Sequence, residues 1–298
     1  MNPRKINSES IINVVIKITG YSAIIFVGLI FYFLLSEGIP ALREVRFSEF
    51  LQTRWYPIED YFGILPLLAG SLIVTLGAII IAVPIGLLTA IYIAEIASPR
   101  TKEFLKPFVE LLGGFPSVVL GFLGLLILSQ YIRRAIDLPT GLSAFTGALI
   151  LAAIAIPPIV SISEDALDAV PRRYRDAALA LGATEWQTIW LVTLPAARSG
   201  VLTAIMLGIG RAIGETMVVL MVTGNAPVMP TGLDAIFSPT RTMTATIAAE
   251  MGEVATGSTH YHVLFFIGIV LFVIALIVNV TASTFVFRRR KRSERILS

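Results

Sequence analysis

The chain has 298 residues, 56% of them hydrophobic and only 14% charged, with a mean hydropathy of +0.83. A soluble domain runs at roughly 45–50% apolar and about 25% charged residues, so this composition points to a polytopic membrane protein. A net charge of +3 is too small to imply a nucleic-acid partner, and the lack of cysteine excludes a disulfide framework and thiol chemistry.

Six apolar stretches follow one another. Residues 11–35 form the first, with Lys17 near its start, where a long side chain can snorkel to the interface. It is too long for a signal-peptide core and is read as a retained span. Residues 36–63 form a mixed-charge loop ending in Trp55, Tyr56, Tyr61 and Phe62, aromatics that suit either the membrane interface or the packing of the loop itself. The second stretch is 64–95 and holds Pro84. The third, 107–131, is interrupted by Gly113-Gly114-Phe115-Pro116, and the fourth, 142–163, by Pro157-Pro158. The fifth, 196–223, contains Arg211 and Glu215. A Gly-, Pro- and Thr-rich loop, 224–260, leads to the sixth, 261–287, which the basic run from Arg288 to Arg292 ends. The expected organisation is an N-terminal tail, first helix and loop (1–63), a core of five helices (64–287) and a basic tail (288–298).

With six spans, sixteen of the 23 Lys and Arg residues fall on the side of the N-terminus and six on the other, while Arg211 lies within a span. The positive-inside rule then places both termini in the cytoplasm.

The cytoplasmic stretch 164–195 is the most heavily punctuated. Pro171 suits a first helical position, and Gly182 a left-handed C-terminal cap. Thr184 and Gln187 have the spacing of a capping box. The reading is two short helices joined at a glycine elbow.

Asp176-Ala177-Ala178, Gly182, and Val192-x-Leu194-Pro195 match the spacing of the EAA loop of ATP-binding-cassette (ABC) importer permeases, with Asp for Glu and Val for Ile. Other blocks resemble the PstC-type permease of phosphate ABC importers. They are Phe62-Gly63-Ile64-Leu65-Pro66-Leu67, Gly114-Phe115-Pro116-Ser117-Val118-Val119-x-Gly121, Ser163-Glu164-Asp165-Ala166-Leu167, Gly210 to Met217, and Thr242 to Glu253. The resemblance covers most of residues 62–287 and is loose before that. It implies an all-α type I importer permease with six transmembrane helices and a cytoplasmic coupling-helix loop, in the cell membrane. It also implies three kinds of partner: a second, PstA-like permease, two ATPase subunits that dock on the loop, and an external phosphate-binding protein. Asp176, Ala177, Ala178, Gly182, Leu194 and Pro195 carry the docking loop in that reading.

By their own chemistry, Arg211 and Glu215 lie four apart and are expected to share a helix face. Charges within a span mark a substrate route by default, and an Arg fork suits phosphate oxygens, so this pair is the candidate translocation path. Glu110 is a further acid, near a span end. Glu250 and Glu253 are expected on a solvent- or partner-facing helix. The Walker nucleotide motif is absent, so the chain is expected not to be an enzyme, to carry no cofactor and to rely on a partner for ATP hydrolysis. His260 and His262 offer too few ligands for a metal. An ion-coupled secondary transporter would normally show internal repeats. A structural scaffold would not need Arg211 and Glu215 in a span. Sulfate and molybdate are the alternative oxyanion substrates.

Overall fold

The computed structural model describes the backbone of residues 3–297 and the side chains of 11–281, except that of residue 233. Its helices, in chain order, begin with α1 (Pro3–Gly38), α2 (Ala41–Glu44), α3 (Phe47–Phe50), α4 (Leu65–Ile91), α5 (Pro99–Gly114), α6 (Ser117–Leu123) and α7 (Ser129–Ala135). They continue with α8 (Ala144–Asp168), α9 (Arg172–Ala180), α10 (Glu185–Thr188), α11 (Leu194–Gly214), α12 (Met217–Val222), α13 (Met243–Glu250) and α14 (Thr259–Leu297). The one strand pair among the described residues, β1 (Trp55–Tyr56) with β2 (Tyr61–Phe62), is an antiparallel hairpin in the first loop.

Six helical segments among the described residues are long and apolar enough to cross a membrane: Ile11–Glu44, Leu65–Ile96, Ser117–Ala135, Ala144–Asp168, Glu185–Gly214 and Thr259–Thr281. Three of them contain a wide turn in which an N–H reaches back five residues. Ala97 N–H bonds the Tyr92 carbonyl, Ser129 that of Gly124, and Leu194 that of Ile189. The last of these lies just ahead of Pro195, where it gives the ring room against the preceding turn.

α8 is the central post, and the most buried of the six. It packs between α4 and α11 through residues too small to hold the backbones apart. A Cβ on Gly86 would stand 2.8 Å from Ile159 Cγ2, and one on Gly208 2.6 Å from Ile159 Cγ1. Such small-residue contacts drive helix association where no hydrophobic effect is available. They fall next to Pro157-Pro158, which does not break the helix: α8 runs unbroken to Asp168. The expected fourth span therefore extends five residues into what the sequence assigns to the polar stretch.

Two breaks occur in the third and fifth apolar stretches, 107–131 and 196–223, the first of them at the expected Gly113–Pro116 interruption. α5 ends at Gly114, and Phe115 and Pro116 are extended before α6 starts. α11 ends at Gly214, and Glu215 (φ −68, ψ 128) is extended before α12. The segments beyond the two breaks pack together, with a Cβ at Gly121 only 3.3 Å from the Val218 Cα.

On the side away from the 164–195 stretch, the 36–63 loop folds onto the start of α14. Trp55, Phe50 and Phe62 are buried with Leu67, Met243, Val263, Leu264 and Ile267. Trp55 and Phe62 therefore pack the loop, and only Tyr56 and Tyr61 of the four aromatics are exposed. α1 packs on α14 through Phe31 on Phe272 and Phe33 on Phe265, and shows most of its other side chains to the surroundings.

Candidate functional site

The elbow forms as its residues dictate. Pro171 (φ −57, ψ 134) stands one position earlier than expected, as the residue that caps α9. At the other end of α9, Gly182 N–H bonds the Leu179 carbonyl (2.9 Å) and Ala183 N–H bonds that of Ala178 (3.1 Å). This is a Schellman cap with glycine in the left-handed position (φ +87). The Thr184 side chain accepts from the Gln187 N–H, and the Gln187 side chain accepts from the Thr184 N–H, completing the capping box. Asp176 and Ala177 are exposed on α9, while Ala178 is buried. Leu181, beside Gly182, is 90% exposed. Leu194 is half-buried against a cluster that includes Leu167, Val170, Ile189 and Ala197, and Pro195 is exposed in the first turn of α11.

One residue that sequence reasoning treated only as a charge fixes the elbow to the bundle. Arg175 Nε and Nη2 donate to Glu95, in the wide turn that follows α4 (3.0 and 2.5 Å). Its Nη1 and Nη2 also donate to the Val170 and Leu167 carbonyls (2.6 and 2.9 Å) just where α8 ends, the Leu167 carbonyl also accepting from the Val170 N–H (3.1 Å). A planar fork with several donors suits this task. A basic residue one turn into α9, near a helix C-terminus, was the only signal available in the sequence.

Arg211 lies in the last turn of α11. Gly208, three residues before it, packs against Ile159 and the Ala155 carbonyl, which puts Arg211 about half-way along α8. Its side chain is exposed on the surface of the chain, with Nη2 3.4 Å from the Gly113 carbonyl at the end of α5. Glu215 does not share its helix face. The break after Gly214 turns Glu215 away, so that its Oε1 accepts from the Val218 N–H (3.3 Å) at the start of α12. The Glu215 carbonyl accepts from Thr244 Oγ1 (3.0 Å). Among the described residues no ion pair joins Arg211 and Glu215. The expected pairing fails because a four-residue spacing places side chains together only on an unbroken helix. Glu110 is exposed too, beside Phe108, Leu111, Leu112, Phe115 and Pro116 in a surface groove that runs to the α5–α6 break. Irregular backbone at membrane depth is tolerated where it is buried in protein or lines a water-filled cavity.

The second loop corrects a further expectation. Glu250 faces inward: it pairs with Arg241 and with His260 Nε2 (2.8 Å), and accepts from Trp55 Nε1 (3.2 Å). Burial opposes its ionisation, but the hydrogen bonds from His260 and Trp55 and the Arg241 charge outweigh it and hold the carboxyl below the usual carboxylate range. Glu253 is exposed as expected. Thr244, at 7% exposure, is buried.

Residues 82–293 match the family described as binding-protein-dependent transport system inner membrane component. The chain is 40% identical to the probable ABC transporter permease protein YqgH of Bacillus subtilis over 77% of its own length and 74% of that protein's. It is 31% identical to the phosphate transport system permease protein PstC of Mesorhizobium japonicum over 94% of this chain and 90% of that one. With the phosphate transport system permease protein PstC 1 of Mycobacterium tuberculosis it shares 36% over 78% and 75%. In fold it resembles a chain of a bacterial alginate ABC transporter (TM-score 0.62, 15% identity, 90% of this chain and 92% of that one). It also resembles a chain of the inward-facing MetNI methionine ABC transporter (TM-score 0.55, 19% identity, 76% and 94%). The chain belongs to the binding-protein-dependent transport system inner membrane component family: it is the membrane permease of an ABC importer, and not itself an enzyme.

Proposed function

We propose that this permease forms half of a path for inorganic phosphate, with its termini and elbow in the cytoplasm. Its partners are a second, PstA-like permease, two ATPase subunits that engage the elbow through Asp176, Ala177, Ala178, Gly182, Leu194 and Pro195, and an external phosphate-binding protein. The observation that carries this reading is Arg211: a guanidinium exposed on the outside of the chain about half-way along the central helix. Facing lipid tails, such a charge is costly. Facing a wet seam shared with a second subunit, it supplies the counter-charge that a desolvating anion needs. Without one, the anion faces a penalty of at least several kcal/mol. Glu215, one step past the break, keeps that region from being purely positive, so an anion can enter and also leave. The names of the relatives support phosphate over sulfate or molybdate.

Purified complex in proteoliposomes, with ATP on the ATPase side and loaded binding protein on the other, should accumulate radiolabelled phosphate. A tenfold excess of unlabelled phosphate should compete, and an equal excess of sulfate or molybdate should not. Uptake that sulfate or molybdate suppresses as well as phosphate does would move the substrate to another oxyanion, and ATP-independent uptake would reject the importer reading.

A further inference from the structure

Glu164 is 1% exposed, and among the described residues it is the only charged side chain buried to that degree. It lies on α8, one turn before that helix ends at Asp168. Each of its oxygens meets a different lysine of α5: Oε1 is 2.8 Å from Lys102 Nζ, and Oε2 is 2.7 Å from Lys106 Nζ. The lysines are four apart and so share a helix face. Each also holds a second acid of α8, Lys102 pairing with Asp168 and Lys106 with Asp165 (2.9 Å). Removing a partner of a buried charge is expensive, so this joint resists sliding.

The same two helices meet again further along. Seven residues beyond Lys106, a Cβ on Gly113 would stand 3.2 Å from Pro157 Cβ, and Pro157 is seven residues before Glu164. α5 and α8 thus run antiparallel in register from the charged joint to Gly113, whose carbonyl receives Arg211. At the other end, α8 is tied to the elbow through Arg175. A continuous chain of contacts therefore leads from the elbow through α8, Glu164 and α5 to the central arginine.

We propose that Glu164, clamped between Lys102 and Lys106, is a positioning residue that makes α5 follow α8, so that movement of the elbow reaches Arg211 as movement of the Gly113 carbonyl. This rests on the reading of the elbow as the ATPase contact and of Arg211 as part of the path. Glu164 itself touches neither ATPase nor substrate. The joint is a transmission element, and its loss should appear as slippage: ATP hydrolysed without phosphate moved.

The test uses the complete transporter in proteoliposomes, with phosphate imported and ATP hydrolysed measured in the same vesicles. Glu164→Gln keeps the shape and removes the charge. Lys106→Met opens the joint from the more exposed side, should Glu164→Gln assemble poorly. Both should keep ATP hydrolysis stimulated by loaded binding protein within about twofold of wild type, while phosphate moved per ATP falls by more than that, within the roughly two- to thirtyfold range expected when a coupling contact is lost. Lys106→Arg, which preserves the charge, should restore the ratio. An unchanged ratio in an assembled variant overturns the proposal. So does a parallel loss of uptake and hydrolysis that Lys106→Arg does not reverse, since that is the signature of a merely structural pair. Arg211→Gln in the same vesicles leaves the joint intact and tests the path separately, so failure of one reading is not mistaken for failure of the other.

Discussion

The elbow offers the cleanest perturbation, because at Gly182 conformation and contact separate. A Cβ built there meets nothing within 4 Å, so the added Cβ itself meets no clash. What remains is the backbone, φ +87, which an L residue adopts at a cost of roughly 1–2 kcal/mol, a β-branched residue being among the worst placed. Gly182→Val should therefore destabilise the Schellman cap by about that amount, and Gly182→Asn by distinctly less, since Asn visits this region more readily. The loss is too small to unfold a protein of ordinary stability. If the formed elbow is what the ATPase engages, the strain appears as weaker docking, by about five- to thirtyfold, a factor of ten being about 1.4 kcal/mol. Titrating purified ATPase onto the reconstituted permease pair, with stimulation by loaded binding protein as the readout, measures this shift. The order should be Gly, then Asn, then Val. Wild-type docking by Gly182→Val would place the strain in a segment the ATPase does not read and reject the elbow as its docking site.

Three other outcomes follow from the geometry. Arg175→Lys keeps the charge but loses the fork that binds Glu95 and two carbonyls together. It should reduce thermal stability by about 1–3 kcal/mol, read as a lower Tm of the purified complex, and should raise protease cleavage in residues 171–184. The Glu250 carboxyl is held below its ordinary value, so the stability it contributes is full above the unfolded carboxylate range and is lost as pH falls through the depressed value. Glu250→Gln should cost about 2 kcal/mol near neutral pH and flatten the acid side of the Tm–pH curve, an effect that His260→Gln should share only in part. In the cysteine-free chain, Glu253→Cys should react rapidly with an impermeant maleimide added outside, and Thr244→Cys slowly. Labelling of residue 253 only from the cytoplasmic side would reverse the proposed orientation.

Hydropathy carried the six spans and local chemistry carried the elbow, since each depends on residues close in sequence: a run of apolar side chains, a glycine after a helix, a threonine three before a glutamine. Where helices end inside the bundle was less legible. Pro157-Pro158 looks like a break and is not one: α8 runs unbroken through both, with Gly86 and Gly208 bringing two neighbours hard against Ile159. Gly214-Glu215 looks like continuous helix and is not, because Val218 N–H and Thr244 give the Glu215 carboxylate and carbonyl better partners outside it. The Glu164 joint needs two lysines some sixty residues upstream, and Glu250 needs Trp55 from the first loop. Neither pairing leaves a periodic trace in the chain.

We propose that the transported anion passes the guanidinium of Arg211. The most direct measurement is radiolabelled phosphate uptake by proteoliposomes holding the assembled Arg211→Gln complex, with stimulated ATP hydrolysis recorded alongside. Uptake should fall by more than about tenfold, consistent with loss of a desolvated charge contact of about 1.5–3 kcal/mol, in complexes that still assemble and still hydrolyse ATP. Phosphate uptake at the wild-type rate in that complex would contradict it and remove Arg211 from the path.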